Sequence, residues 1–393
     1  MINLKRTKMM VLTVLVMALH HSSNSQQTID GQFGKGVFLA AKDDSFTMKF
    51  AFRFQTLYDG KYDLDNDSYS EKLMIRRSRL KFDGYAFTPK LKYKLELALS
   101  NRDTQSGIIA ESGFTSNYVL DAALKYNFAP GWELWAGQTK LPGNRERVIS
   151  SANLQFVDRS LVNSRFNIDR DIGIQIRHKS KVGSAVINQA VAISTGEGRN
   201  IIATNFDNGR QYTGRIEFLP MGDFTSKGDY IGSDLSREET PKLSIGITGD
   251  FNNKTVRSRG NLGSFQVDDI TGEYIATDLT TLFVDAMFKV KGYSFASEYA
   301  YRSSSVEAGF GHGNGFVGQT GYLFDNNIEL SARYTQINAG SDLSSINDQD
   351  EYTLGFSKYF KGHKLKIQSD ASYQTVNSTR NYMLFRVQCE LHL

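Results

Sequence analysis

The chain has 393 residues, with 46 Lys and Arg against 42 Asp and Glu, one Cys, five Pro and 34 Gly. A single Cys excludes a disulfide scaffold and a Cys-rich zinc site, and a formal charge of +4 is too small to point to nucleic acid. The 26 Phe, 19 Tyr and 2 Trp need burial in protein or lipid, which argues against disorder.

Residues 1–25 read as a signal peptide. Lys5, Arg6 and Lys8 precede the apolar run Met9–Leu19, and Ser23 and Ser25 put small side chains before a cut at Gln26. The run is too short to span a bilayer. The peptide carries three basic and no acidic residues, so the remainder is almost neutral. Residues 26–45 are expected to form an N-terminal periplasmic segment, ahead of a barrel over 46–393.

From Phe46 onward the dominant pattern has period two. Phe46, Met48, Phe50, Phe52 and Phe54 alternate with Thr47, Lys49, Ala51, Arg53 and Gln55. On a strand this puts apolar side chains on one face and polar ones on the other. Sixteen such segments are expected. The first eight are Phe46–Tyr58, Leu73–Ala86, Leu91–Arg102, Tyr118–Phe128, Trp132–Lys140, Asp171–Lys179, Ala185–Thr195 and Gln211–Leu219. The second eight are Lys242–Asp250, Leu279–Val290, Tyr293–Arg302, Gly315–Phe324, Ile328–Gln336, Glu351–Phe360, Lys364–Gln374 and Asn381–Leu393. Strands of about 9–11 residues suit a tilted crossing of the outer-membrane hydrocarbon. Long connections alternate with short ones, as in barrels with short periplasmic turns and long outer loops. Pro220–Pro241 is a long segment where a short turn is expected. All five prolines lie in or beside connections, as an edgeless sheet requires. With no amphipathic helix to cover the apolar face, lipid must cover it. The fold class is therefore all-β, a transmembrane antiparallel β-barrel of about 16 strands.

Strand parity then assigns the water-facing residues. The first three strands contribute Lys49, Arg53, Arg77, Arg79, Lys81, Lys92, Lys94 and Arg102 against only Asp83 and Glu96. One wall thus carries a basic stripe, whose field inside a low-dielectric annulus biases entry toward anions. The long third loop adds Arg145, Arg147, Arg159, Arg165 and Arg170, tempered by Glu146, Asp158 and Asp169. A loop of this length is expected to fold into the lumen and narrow it, and guanidinium forks suit oxyanions.

Three stretches carry a family resemblance. Arg76-Arg77-Ser78-Arg79-Leu80-Lys81-Phe82-Asp83-Gly84-Tyr85-Ala86 runs on through Thr88-Pro89-Lys90 to Ser100-Asn101-Arg102-Asp103. Gly137-Gln138-Thr139-Lys140-Leu141-Pro142-Gly143-Asn144-Arg145 leads to Gln155-Phe156-Val157-Asp158-Arg159-Ser160-Leu161 and Phe166-Asn167-Ile168-Asp169-Arg170. The tail reads Arg386-Val387-Gln388-Cys389. These resemble the phosphate-selective porin O and P family, particularly its Bacteroidetes members. The resemblance implies a sixteen-stranded outer-membrane porin, commonly a homotrimer, with an inward third loop and an arginine-lined channel. Its solutes would be small anions, phosphate or pyrophosphate included. Its other partner would be outer-membrane lipid.

Other constellations are weaker. Asp63, Asp65, Asp67 and Glu71 have neither the Gly nor the distant Glu of a calcium loop. Gly309, Gly311, Gly313 and Gly315 precede no helix, against a phosphate-cradling loop. His178, His312, His363 and His392 are scattered, which supports neither a metal site nor a triad. No cofactor, metal or enzymatic chemistry is expected. The rival readings are a non-conducting surface scaffold or adhesin and, less favoured, a membrane-barrel hydrolase.

Overall fold

A computed structural model describes residues 29–104, 117–201 and 209–393, and residues 1–25 lie outside that set. A short hairpin, β1 (Ile29–Gln32) and β2 (Gly36–Ala40), comes first. Sixteen strands then close a barrel. They are β3 (Thr47–Asp63), β4 (Ser68–Ala86), β5 (Thr88–Ala98), β6 (Val119–Ala129), β7 (Trp132–Lys140), β8 (Arg170–Val182), β9 (Ala185–Ser194) and β10 (Gln211–Leu219). The others are β11 (Lys242–Thr255), β12 (Thr277–Val290), β13 (Tyr293–Ser304), β14 (Gly313–Leu323), β15 (Ile328–Ala339), β16 (Gln349–Tyr359), β17 (Leu365–Val376) and β18 (Arg380–His392). Every neighbouring pair is antiparallel, and β18 returns to β3 from Tyr382↔Asp63 to His392↔Arg53. Below that seam β2 takes over the same edge of β3, pairing Val37 with Phe50 and Ala40 with Thr47.

The burial pattern inverts that of a soluble sheet. Ile172, Ile174 and Ile176 point outward and are exposed, whereas Asp171 and Gln175, which alternate with them, are buried. Each apolar outer face suits hydrocarbon, and the closed ladder leaves no backbone edge for lipid to solvate.

Two expected boundaries move. The first outer loop shrinks because β3 and β4 stay paired to Asp63↔Ser68, so the acidic residues sit on a hairpin. There Asp63 accepts from the backbone of Asp65 and Asn66, and Asp65 accepts from Asn381. The strand expected to run to Arg102 stops at Ala98. A helical turn, α1 (Asn101–Thr104), follows, closed by Thr104 N–H on the Ser100 carbonyl. Arg102 is therefore off the barrel wall, and its side chain lies outside the described residues.

Candidate pore and constriction

The loop between β7 and β8 folds into the lumen and carries two helical turns, α2 (Arg145–Val148) and α3 (Leu161–Phe166). Ser160 caps α3 by accepting from Asn163 N–H. Apolar contact drives the docking: Leu141, Val162, Phe166 and Ile168 join Phe283, Ala300, Val317 and Ile337 of the far wall in one buried cluster. Missing side chains on that wall admit the loop. A Cβ at Gly321 would lie 2.2 Å from Gln155 Nε2, and one at Gly355 would lie 2.9 Å from Phe156 Cε1.

Ion pairs fix the loop's position. Arg145 is buried and donates to Asp285 at 2.9 Å, and it lies 3.3 Å from Glu217. Arg215 bonds the same two carboxylates, giving a balanced set of two cations and two anions. At the opposite wall Arg76 and Arg77 both donate to Asp158, at 2.7 and 3.0 Å. Burial alone would raise the Asp158 carboxyl, but the two guanidinium groups hold it well below its ordinary range. Arg147 pairs with Asp169, while Arg165 reaches only Gln349 among the described residues, at 3.4 Å.

The loop docks against β12–β17, and a cavity of about 680 Å³ remains, lined mainly by β4–β10 and by Arg386 of β18. Of the residues expected on the stripe, Arg77, Arg79 and Lys94 line it. Arg53, Lys49, Lys81 and Lys92 do not; the last three lie toward the end of the barrel that carries the β4–β5 turn. Of the loop arginines, Arg147, Arg159 and Arg170 line the cavity and Arg145 and Arg165 do not. The stripe's charges are largely matched: Arg53 with Glu390, Arg79 with Glu96 and Asp103, Lys81 with Asp83, and Lys94 with Glu96 and Asp121.

Parity reasoning missed Arg76. A bulge between Gln55 and Thr56 of β3 sets Arg77 against Gln55 and Ile75 against Thr56, so Arg76 is the extra residue. The bulge turns two consecutive arginines inward, where strict alternation would leave one in lipid. Lys125, Arg177 and Trp135 were not among the expected site residues, although alternation sets Arg177 on the water face opposite Ile176. Lys125 Nζ lies 3.5 Å and the Arg177 guanidinium 4.1 Å from the Trp135 ring centre. The indole N–H donates to Glu133 at 2.7 Å.

Comparison with known proteins follows the geometry. A protein of Aquifex aeolicus (strain VF5), described only as uncharacterized, is 24% identical over 349 residues, covering 81% of this chain and 80% of its own. The anion-selective porin from Comamonas acidovorans superposes with a TM-score of 0.56 at 11% identity, covering 88% of this chain and 100% of its own. OmpT, an outer membrane protein of Vibrio cholerae solved in a trimer form, gives 0.54 at 12% identity, with the same coverage. The two structural likenesses carry the fold alone. Residues 47–383 match the profile of the phosphate-selective porin O and P family, so the chain belongs to that family: it is a porin of the bacterial outer membrane, a channel rather than an enzyme.

Proposed function

We propose that this porin passes small hydrophilic solutes with a preference for anions, phosphate or pyrophosphate among them, and that it works as a homotrimer. The observation that carries the anion preference is the charge of the cavity wall: thirteen Lys and Arg against six Asp and Glu. Five of those cations, Lys125, Lys140, Arg159, Arg177 and Arg199, have no carboxylate oxygen within 4.0 Å among the described residues. Lys140, Arg159 and Arg199 donate to backbone carbonyls of the third loop and α1, whereas Lys125 and Arg177 lie over the Trp135 ring and line the cavity. Burial lowers the Arg159 and Arg199 guanidinium groups, to about 9 and about 10, and both remain charged at neutral pH.

An entering anion sheds part of its hydration shell, and side-chain N–H groups replace it. A guanidinium presents paired donors that match two oxygens of an oxyanion, a match that chloride does not offer. The third loop narrows the lumen toward this wall, so a passing solute meets the excess charge.

Planar-bilayer recording in a KCl gradient tests the reading. The reversal potential is expected on the anion side, and millimolar phosphate is expected to reduce chloride conductance. A cation-side potential would overturn the anion preference. Undiminished chloride current would remove phosphate alone, and a barrel without conductance would favour the scaffold reading.

A further inference from the structure

Residues 220–241 join β10 to β11 where a short turn would suffice. They fold into the lumen and touch the third loop, reaching β12, β15 and β16. Lys289 of β12, 1% exposed, donates to the carbonyls of Gly228, Ile231 and Ser233 at 2.8, 2.7 and 2.7 Å. A buried ammonium costs several kcal/mol unless its donors are satisfied, and here the segment's own backbone satisfies all three. On the far wall a single buried carboxylate, Glu329, is shared. It accepts from Gln155 of the third loop at 2.8 Å and from Ser233 of the segment at 2.6 Å.

The segment also touches the third loop directly. Gly232 N–H donates to the Asn153 carbonyl at 2.7 Å. Arg145, which anchors α2, donates to the Asp229 carbonyl at 3.0 Å. Tyr230 presents its ring to the cavity and donates to Glu217 at 2.7 Å.

We infer that residues 220–241 form a second constriction element, a periplasmic strut that holds the third loop and closes the lumen beneath it, so that solutes are confined to the cationic wall from β4 to β10. The inference rests on the porin reading and deepens it: selectivity requires not only a charged wall but the loss of every uncharged detour. The strut removes the detour along β12–β16, where the buried charges Lys289 and Glu329 bond the strut and the third loop instead of facing solute.

Two variants test it in the full-length protein. In the first, residues 223–239 are replaced by a two-residue Gly-Ser turn. In the second, Lys289→Met removes the ammonium that holds three strut carbonyls and leaves the loop sequence intact. Each is recorded in planar bilayers as heat-modifiable, folded protein. Excision is expected to raise single-channel conductance by about twofold or more and to move the reversal potential toward zero, because current gains an unselective path. Lys289→Met is expected to give the same changes in smaller measure, with added current noise, and it serves alone if the excised barrel does not fold. Wild-type values of conductance and reversal potential in the folded variants would overturn the inference. A wild-type channel that lacked conductance or anion preference would instead overturn the reading on which the inference rests.

Discussion

Neutralising Lys125 and Arg177 together, as Lys125→Gln with Arg177→Gln, separates charge that steers ions from charge that only binds protein. Both cations lie against Trp135, at 3.5 and 4.1 Å from its ring centre, and both line the cavity. A monovalent anion passing at about 6 Å from each gains roughly 0.7 kcal/mol per charge at the dielectric constant of water. Screening with a Debye length of about 10 Å at 0.1 M salt cuts the sum for the pair from about 1.4 to about 0.8 kcal/mol. The permeability of the anion should therefore fall by roughly fourfold at 0.1 M, since about 1.4 kcal/mol is tenfold, and the anion-to-cation ratio by at least as much. The loss should shrink at 1 M, where the Debye length is about 3 Å. The assay is the reversal potential across a salt gradient at both concentrations. Lys81→Gln with Asp83→Asn, which neutralises a pair 2.8 Å apart on the neighbouring stripe, is the comparison and should leave the potential unchanged. An unchanged potential in the Lys125 and Arg177 variant, or an equal shift in the comparison, would refute the argument that unmatched cations set selectivity.

Three further outcomes follow from the packing of the loops. Phe166→Ala empties the centre of the cluster that docks α3 and should cost about 3–5 kcal/mol of that docking, read as faster proteolysis of the third loop and noisier current. Gly321→Val brings a side chain to where a Cβ already lies 2.2 Å from Gln155 Nε2, so it should displace the loop and raise conductance while the barrel still forms. Glu197, in the loop after β9, has its carboxyl pushed up by burial from 4.5 to about 7. Its folded form favours the proton, so its contribution to stability is complete below the unfolded value and is lost as pH rises through about 7. The loss amounts to about 3 kcal/mol at most. Glu197→Gln should remove that fall, and thermal melts at pH 5 and pH 8 should then differ less than in the wild type.

The barrel was legible in the sequence because its dominant constraint is local. Lipid on one side and water on the other force a period of two, and all sixteen expected segments correspond to strands. The inward third loop was legible from length and from the resemblance. Its anchoring was not: Arg76 and Arg77 meet Asp158 across about eighty positions of chain, and Arg145 finds Asp285 across more still. Parity says which way a side chain points and is silent on which residue it meets. By parity alone the stripe of eight cations amounts to net charge, whereas each of Arg53, Arg77, Arg79, Lys81 and Lys94 has a carboxylate partner.

The bulge at Arg76 and the burial of Lys289 share a physical cause. A strict alternation at Arg76-Arg77 would place one guanidinium in hydrocarbon, at about 2–4 kcal/mol near the midplane, so adjacent arginines in such a strand themselves imply a bulge. The same reasoning applies to Lys289. It faces the lumen from β12, yet it is almost fully buried, and no carboxylate oxygen lies within 4.0 Å among the described residues. A lysine in a water-filled lumen needs no protein partner; a buried one does, and here the carbonyls of the 220–241 segment serve. A cation without a neighbouring acid in the sequence is thus ambiguous between a free charge facing solute and one held by a distant backbone. Lys125 is of the first kind and Lys289 of the second. Only the path of the chain through the lumen separates them.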